Sequence, residues 1–143
     1  MDLFRNLDIS ATALTAERLR MDLISDNIAN INTTRTKEGG PYERKVPVFM
    51  EVLDEYMGSN GRPVSKPAGV KVLKIQPDGN PPRLVYDPSH PDANADGYVA
   101  YPDINPVSEM VNLITASRSY EANVTAFNSS KDIFRAALEI GKI

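Results

Sequence analysis

The sequence predicts an α+β protein: two long helices, one from each end of the chain, paired in a coiled-coil-like manner beside a small β-rich, turn-rich middle. Three observations predict it. Of the 8 Gly and 11 Pro among 143 residues, all but Gly141 lie between Gly39 and Pro106, and these are the strongest breakers of regular structure. The arms on either side carry apolar residues at the helical spacings of three, four and seven. The middle carries short alternating runs separated by turn residues. The expected division is 1–32 and 106–143 as one discontinuous helical assembly domain, with 33–105 as an outer β- and loop-rich region.

Arm length already speaks of assembly. An uninterrupted helix of roughly 30 residues spans about 45 Å, whereas a compact domain of this size has a radius of gyration of only about 14 Å. Such arms pair with each other or pack on other molecules. In the first arm, Leu3, Leu7, Leu14, Met21, Ile24, Ile28 and Ile31 form one stripe, and Ala13, Ala16, Leu19 and Leu23 a second. Two stripes imply contacts on two sides. Ser10, Glu17, Arg18 and Ser25 interrupt the first seam, more polar breaks than an isolated coiled coil tolerates. The arm runs into Ser-Asp-Asn-Ile-Ala-Asn-Ile-Asn-Thr-Thr at 25–34. Side chains of this kind bond to nearby backbone and compete with the helix ladder, so the helix is expected to end between Ala29 and Asn32.

In the middle, 41–52 reads as extended chain, with Pro47 marking an edge or a bend. Residues 58–69 read as a Gly/Pro/Ser/Asn loop, 70–75 as a strand, 77–82 as a turn cluster, and 84–86 and 98–101 as two short strands. Together they make a small β element that needs something to pack on.

Asn105-Pro106 starts the second arm, a side-chain cap followed by Pro in the first helical position. Leu113, Tyr120, Phe127 and Phe134 recur every seven residues, and Ala116, Asn123, Ser130 and Ala137 follow each by three. This is an a/d-like seam alternating large with small residues. A further apolar set, Met110, Ile114, Val124, Ile133, Leu138 and Ile140, widens the face. The chain has only two long helices to cover two-sided faces, so partner molecules are the economical answer.

Composition excludes much chemistry. Net charge is −3 with mixed signs, so no basic patch recommends nucleic acid. There is no Cys for disulfides or thiolate metal sites. No apolar run reaches the 18 residues that would mark a membrane span. The start, with Asp2 and no apolar run behind it, does not read as a secretory leader, and composition alone points to the cytoplasm. His90 is the one histidine, between Pro88 and Pro91, and no phosphate-loop, dinucleotide or zinc-protease motif is present; no enzyme, cofactor or catalytic residue is expected. Asp92, Asn94, Asp96 and Gly97 fit the first half of a calcium-loop pattern. Asp103 stands where that pattern needs a bidentate Glu, however, and the flanking prolines deny it an entering helix. An Asx-turn chain with Gly97 left-handed is the favoured reading, and no metal is expected.

The run at 25–33 resembles the Asn-rich signature of bacterial flagellar rod and hook proteins. Gly-Gly-Pro-Tyr-Glu-Arg-Lys at 39–45, the segment 85–102, and the runs Glu-Met-Val-Asn at 109–112 and Ala-Ser-Arg-Ser-Tyr-Glu-Ala-Asn at 116–123 are similar to the FlgC type of proximal-rod subunit. The resemblance covers nearly the whole chain, with 54–69 generic. It implies a structural subunit of the flagellar basal-body proximal rod that polymerises helically, its paired helices forming a tube around an export channel and its middle facing outward. It implies copies of itself, other proximal and distal rod subunits, MS-ring or export-gate adaptor proteins and the flagellar type III export apparatus as partners. It also implies a rod that crosses the periplasm and export without a cleaved signal peptide, revising the cytoplasmic reading. Alternatives are another rod or hook axial subunit, a soluble coiled-coil adaptor and a calcium-binding module.

Residues and resemblance together give an expected packing. The Leu113/Tyr120/Phe127/Phe134 seam lies antiparallel on the Leu7/Leu14/Met21/Ile28 stripe, and the second stripes meet neighbouring subunits. Asn27, Ala29, Asn30 and Thr33 shape the joint between helices and β element. A lone subunit leaves much apolar surface wet while still ordering its chain at about 1–2 kcal/mol per residue, so the arms are expected to be largely disordered until assembly.

Overall fold

The computed structural model describes residues 3–57 and 62–141. Its elements run α1 (Leu3–Ala29), β1 (Lys45–Met57), β2 (Pro63–Pro77), β3 (Arg83–Tyr86), β4 (Tyr98–Tyr101) and α2 (Pro106–Ile140). The two long helices and the small β middle make it an α+β fold.

Both helix boundaries follow from local chemistry. Asn105 caps α2, its Oδ1 accepting from the backbone N–H groups of Val107 and Ser108 at 2.9 and 3.2 Å, and Pro106 fills a position whose N–H would otherwise have no partner. At the end of α1 the Asn30 side chain donates to the Asp26 carbonyl at 2.9 Å. The Thr33 hydroxyl then donates to Asn30 Oδ1 at 3.1 Å, closing the chain into a turn.

The helices pair antiparallel. Asn27 of α1 meets Glu109 of α2 at one end, and Phe4 meets Phe134 edge-on at the other, ring centroids 5.0 Å apart. Ser10, Ala16, Leu23, Ile24 and Asn27 are buried on α1, and Glu109 and Ala116 on α2. Small residues at these depths let the backbones approach. Burial of Leu23 and Ile24 contributes about 1.5–3 kcal/mol each.

The middle departs from expectation. Residues 63–69, read as loop, belong to β2, so β1 and β2 form one long antiparallel hairpin of 13 and 15 residues. Pro47, Pro63, Pro67 and Pro77 all sit in it. A two-stranded ribbon consists of two edges, and edges tolerate a missing N–H. Two register shifts, between Val48 and Phe49 and between Val52 and Leu53, absorb the two extra residues of β2. β3 and β4 form a separate two-stranded sheet rather than joining the hairpin.

A second departure concerns α1. The hairpin folds back along it, so β2 of the same chain runs beside Ala16, Leu19 and Leu23 of the second stripe, a face expected to meet neighbouring subunits alone. Arg5 Nε donates to the Pro67 carbonyl at 3.0 Å. Thr12 Oγ1 donates to the Ile9 carbonyl at 2.7 Å and accepts from Val70 N–H at 3.2 Å. These side chains satisfy groups on the outer edge of β2, as a covered edge requires. Gly69 is needed at this approach. Its φ is +139°, and a Cβ there would run into the Thr12 side chain. Gly69→Ala should lower unfolding stability by about 1–3 kcal/mol in urea titration; an unchanged midpoint would mean the hairpin does not rest on α1.

The loop at 87–97 is a chain of Asx turns. Asn94 Oδ1 accepts from the N–H groups of Asp96 and Tyr98 at 3.0 and 2.8 Å, and Gly97 has φ +82°. Asp92 accepts from the Thr34 hydroxyl at 2.8 Å, pinning this loop to the turn after α1. Ser89 hydrogen bonds hold the Asp87 carboxyl below the usual carboxylate range. Among the described residues no three His, Asp or Glu side chains converge as a metal site would need, and no helix is long and apolar enough to cross a membrane.

Candidate functional site

The most buried polar groups gather where α1, α2 and the base of the hairpin meet. Counting along the helices shows why they are unusual. Asn27 lies four residues after buried Leu23, and Glu109 four residues before Leu113 on the α2 seam. Each is a polar residue at a position the apolar stripe would otherwise occupy, and each is almost fully enclosed, at 1% and 2% exposure. Buried polar groups of this kind need complete partners.

They have them. Asn27 Oδ1 accepts from the Lys45 N–H at 2.9 Å and from the Tyr42 hydroxyl at 2.9 Å. Its Nδ2 donates to the Lys45 carbonyl at 2.9 Å and to Glu109 Oε2 at 3.3 Å. The carboxamide thus bonds both backbone groups of Lys45, as a neighbouring strand would, at the residue that begins β1. All its capacity is used.

Glu109 Oε1 accepts from Arg44 Nε and Nη2 at 3.0 and 2.7 Å. Arg44 Nη1 reaches Asp78 Oδ2 at 3.0 Å, just past the end of β2, and the Asp78 N–H returns to the Arg44 carbonyl at 2.8 Å. One cation therefore bridges two carboxylates from the hairpin base and α2. Burial works against the Arg44 charge, but the hydrogen bonds and charges of Glu109 and Asp78 outweigh it, and its pKa is raised.

Burial, reinforced by the negative charges of Asp26 and Glu109, raises the Tyr42 pKa as well. The unfolded chain releases that proton near pH 10 and the folded chain only above it. The contribution is intact below about pH 10 and is lost as pH rises further. Stability measured across pH 9–11 should fall more steeply for the natural chain than for Tyr42→Phe; equal slopes would mean Tyr42 is not held in this joint.

The arrangement ties the end of α1, the start of α2 and the base of the hairpin to one another. Of the sequence-derived joint residues, Asn27 lies at its centre. Asn30 and Thr33 form the turn beside it, and the Thr33 carbonyl accepts from the Tyr42 N–H at 3.0 Å. Ala29 is exposed and makes no side-chain bond. Leu7, Leu14, Met21, Ile28, Leu113, Tyr120, Phe127 and Phe134 are all half-buried. The deepest α1 positions are instead Ser10, Ala16, Leu23, Ile24 and Asn27, because α1 is flanked on two sides. Sequence reasoning assigned no role to Tyr42, Arg44, Asp78 or Glu109. The available signal was a charged residue in phase with an apolar seam.

The helix pair, with Asn27 and Glu109 of the joint, lies largely within the segments that match known families. Residues 7–37 match the model for flagella basal body rod proteins, and residues 95–140 match that for the C-terminal region of flagellar basal body rod FlgEFG proteins. The flagellar basal-body rod protein FlgC of Bacillus subtilis (strain 168) is 48% identical over 99% of this chain and 100% of that protein. The chain belongs to the FlgC family of flagellar basal-body rod proteins. The FlgC proteins of Borreliella burgdorferi and Escherichia coli O6:H1 are 44% and 37% identical over nearly the whole of each chain. The resemblance read from sequence is thus a full-length family relationship.

Proposed function

We propose that this FlgC-family chain is a structural subunit of the proximal rod of the bacterial flagellar basal body. It polymerises helically into a drive shaft around an axial export channel, in the service of motility. The observation that carries this reading is the open face of α2: Val107, Met110, Val111 and Ile114 are all more than half exposed on a helix whose opposite side is taken by α1. A contiguous apolar stripe of this kind marks an interaction surface. The helix pair forms the inner, assembling domain and 33–105 the outer region, with the joint setting the angle between them. Partners are further copies, other rod subunits, adaptors at the MS ring and export gate, and the flagellar type III export apparatus. The subunit acts where the rod crosses the periplasm, leaves the cytoplasm without a cleaved signal, and performs no catalysis.

The test is complementation of a flagellated strain lacking its own FlgC-family subunit, followed by isolation of basal bodies. The natural chain should be incorporated and restore swimming; its absence from basal bodies would sink the reading. Phe127→Ala and Leu14→Asp should be expressed at normal levels but fail to join, since each removes apolar contact or introduces a charge along the seam. Normal incorporation of both would remove the seam from the account.

A further inference from the structure

Building on the rod-subunit reading, we propose a specific contact between copies. The exposed stripe at the start of α2 seats in the groove between α1 and the first hairpin of the next copy.

Stripe and groove match in character. Val107, Met110, Val111 and Ile114 follow one another at helical spacing, with exposures of 67, 54, 57 and 56%. Arg118 continues the same face one turn on and is exposed, with Glu121 beyond it. The groove has a volume of about 1030 Å³. Leu19 and Leu23 of α1, Tyr42, and Ile75 of β2 supply its apolar floor. Asp22 and Asp26, one turn apart and both exposed, stand on its rim. The rim also carries Glu38 and Glu43 against Lys37 and Lys45, so an apolar stripe ending in a guanidinium faces an apolar floor whose rim holds more carboxylates than cations, and such complementarity sets orientation and register.

The occupant must be another molecule. Within one chain α2 packs on α1 and on neither hairpin strand, because α1 lies between them. Each copy then offers a stripe on one side and a groove on the other. A contact between two different patches is head-to-tail, and where its rotation does not close a ring it propagates as an open helix, the form a rod requires.

The chain has no Cys, so Ile114→Cys combined with Ile75→Cys introduces the only two thiols. Oxidation of isolated basal bodies carrying this variant should give a ladder of covalent multimers on a non-reducing gel. Monomers alone, in basal bodies that contain the variant, would overturn the contact while leaving the rod reading intact; absence of the natural chain from basal bodies would instead overturn that reading. A second variant guards against loss by misfolding. Arg118→Asp should cut incorporation at least about tenfold by placing like charges together, and adding Asp22→Arg with Asp26→Arg in the same chain should restore it. Full incorporation of Arg118→Asp, or no recovery with the reversed rim, would also overturn the contact.

Discussion

Arg44→Met should lower unfolding stability by about 3–5 kcal/mol, because it leaves the Glu109 carboxylate buried without a cation. Glu109 is 2% exposed, and two of its hydrogen bonds come from this one guanidinium. Domains of this size are stable by only about 5–15 kcal/mol in total, so the single variant should stand near the edge of unfolding. Urea titration followed by circular dichroism measures the loss. Adding Glu109→Leu removes the stranded charge and should recover most of it, since an apolar replacement of a buried pair is often neutral. If the single variant loses less than about 1 kcal/mol, the value of a surface pair, the joint is more open to water than its geometry indicates.

Asn27→Asp should have an effect of similar size through a different cause. The substitution keeps shape and volume but removes the two donors that serve the Lys45 carbonyl and Glu109. It also sets a second carboxylate within hydrogen-bond distance of the Glu109 oxygen at a site 1% exposed. A buried acceptor left unpaired costs about 1–3 kcal/mol, and two close carboxylates cannot both ionise without further cost. A loss of about 3–5 kcal/mol at neutral pH is expected, shrinking as pH falls and the new carboxyl is protonated. Calorimetry at pH 7 and pH 4 distinguishes the causes: a loss independent of pH would mean that the missing donors account for all of it.

Much of the fold was legible because its signals are local. The Asn105 cap, Pro106, the end of α1 and the strands β3 and β4 all lie where short-range chemistry put them. The long hairpin was not legible over 63–69. Pro63, Pro67 and Gly69 read as breakers, and only the knowledge that the ribbon has two edges, one resting on α1, makes them acceptable. The joint was partly legible. Asn27 stood out in a polar run, but its partners lie 15 residues away at Tyr42, 18 at Lys45 and 82 at Glu109, distances over which periodicity carries no information. Ala29 shares the motif without sharing the network, since a methyl group cannot bond and its position faces water. The second α1 stripe was read as a face for neighbouring subunits. What covers part of it, β2 of the same chain, depends on a chain reversal that no spacing rule contains.

The fold-back of the hairpin onto α1 also bears on the order in which the molecule can form. β1 ends at Met57 and β2 begins at Pro63, close in the chain, and the ties from α1 to the hairpin span 58 and 62 residues at Thr12–Val70 and Arg5–Pro67. By contrast, Phe4 and Phe134 meet across most of the chain. Shorter loops close at lower entropic cost, and a chain emerging N-terminus first presents α1 and both hairpin strands before any of α2. The hairpin therefore serves α1 as a provisional mate. It shelters Ala16 and Leu23 during the interval before the other helix has formed, so the last segment to arrive meets a surface already shaped to receive it.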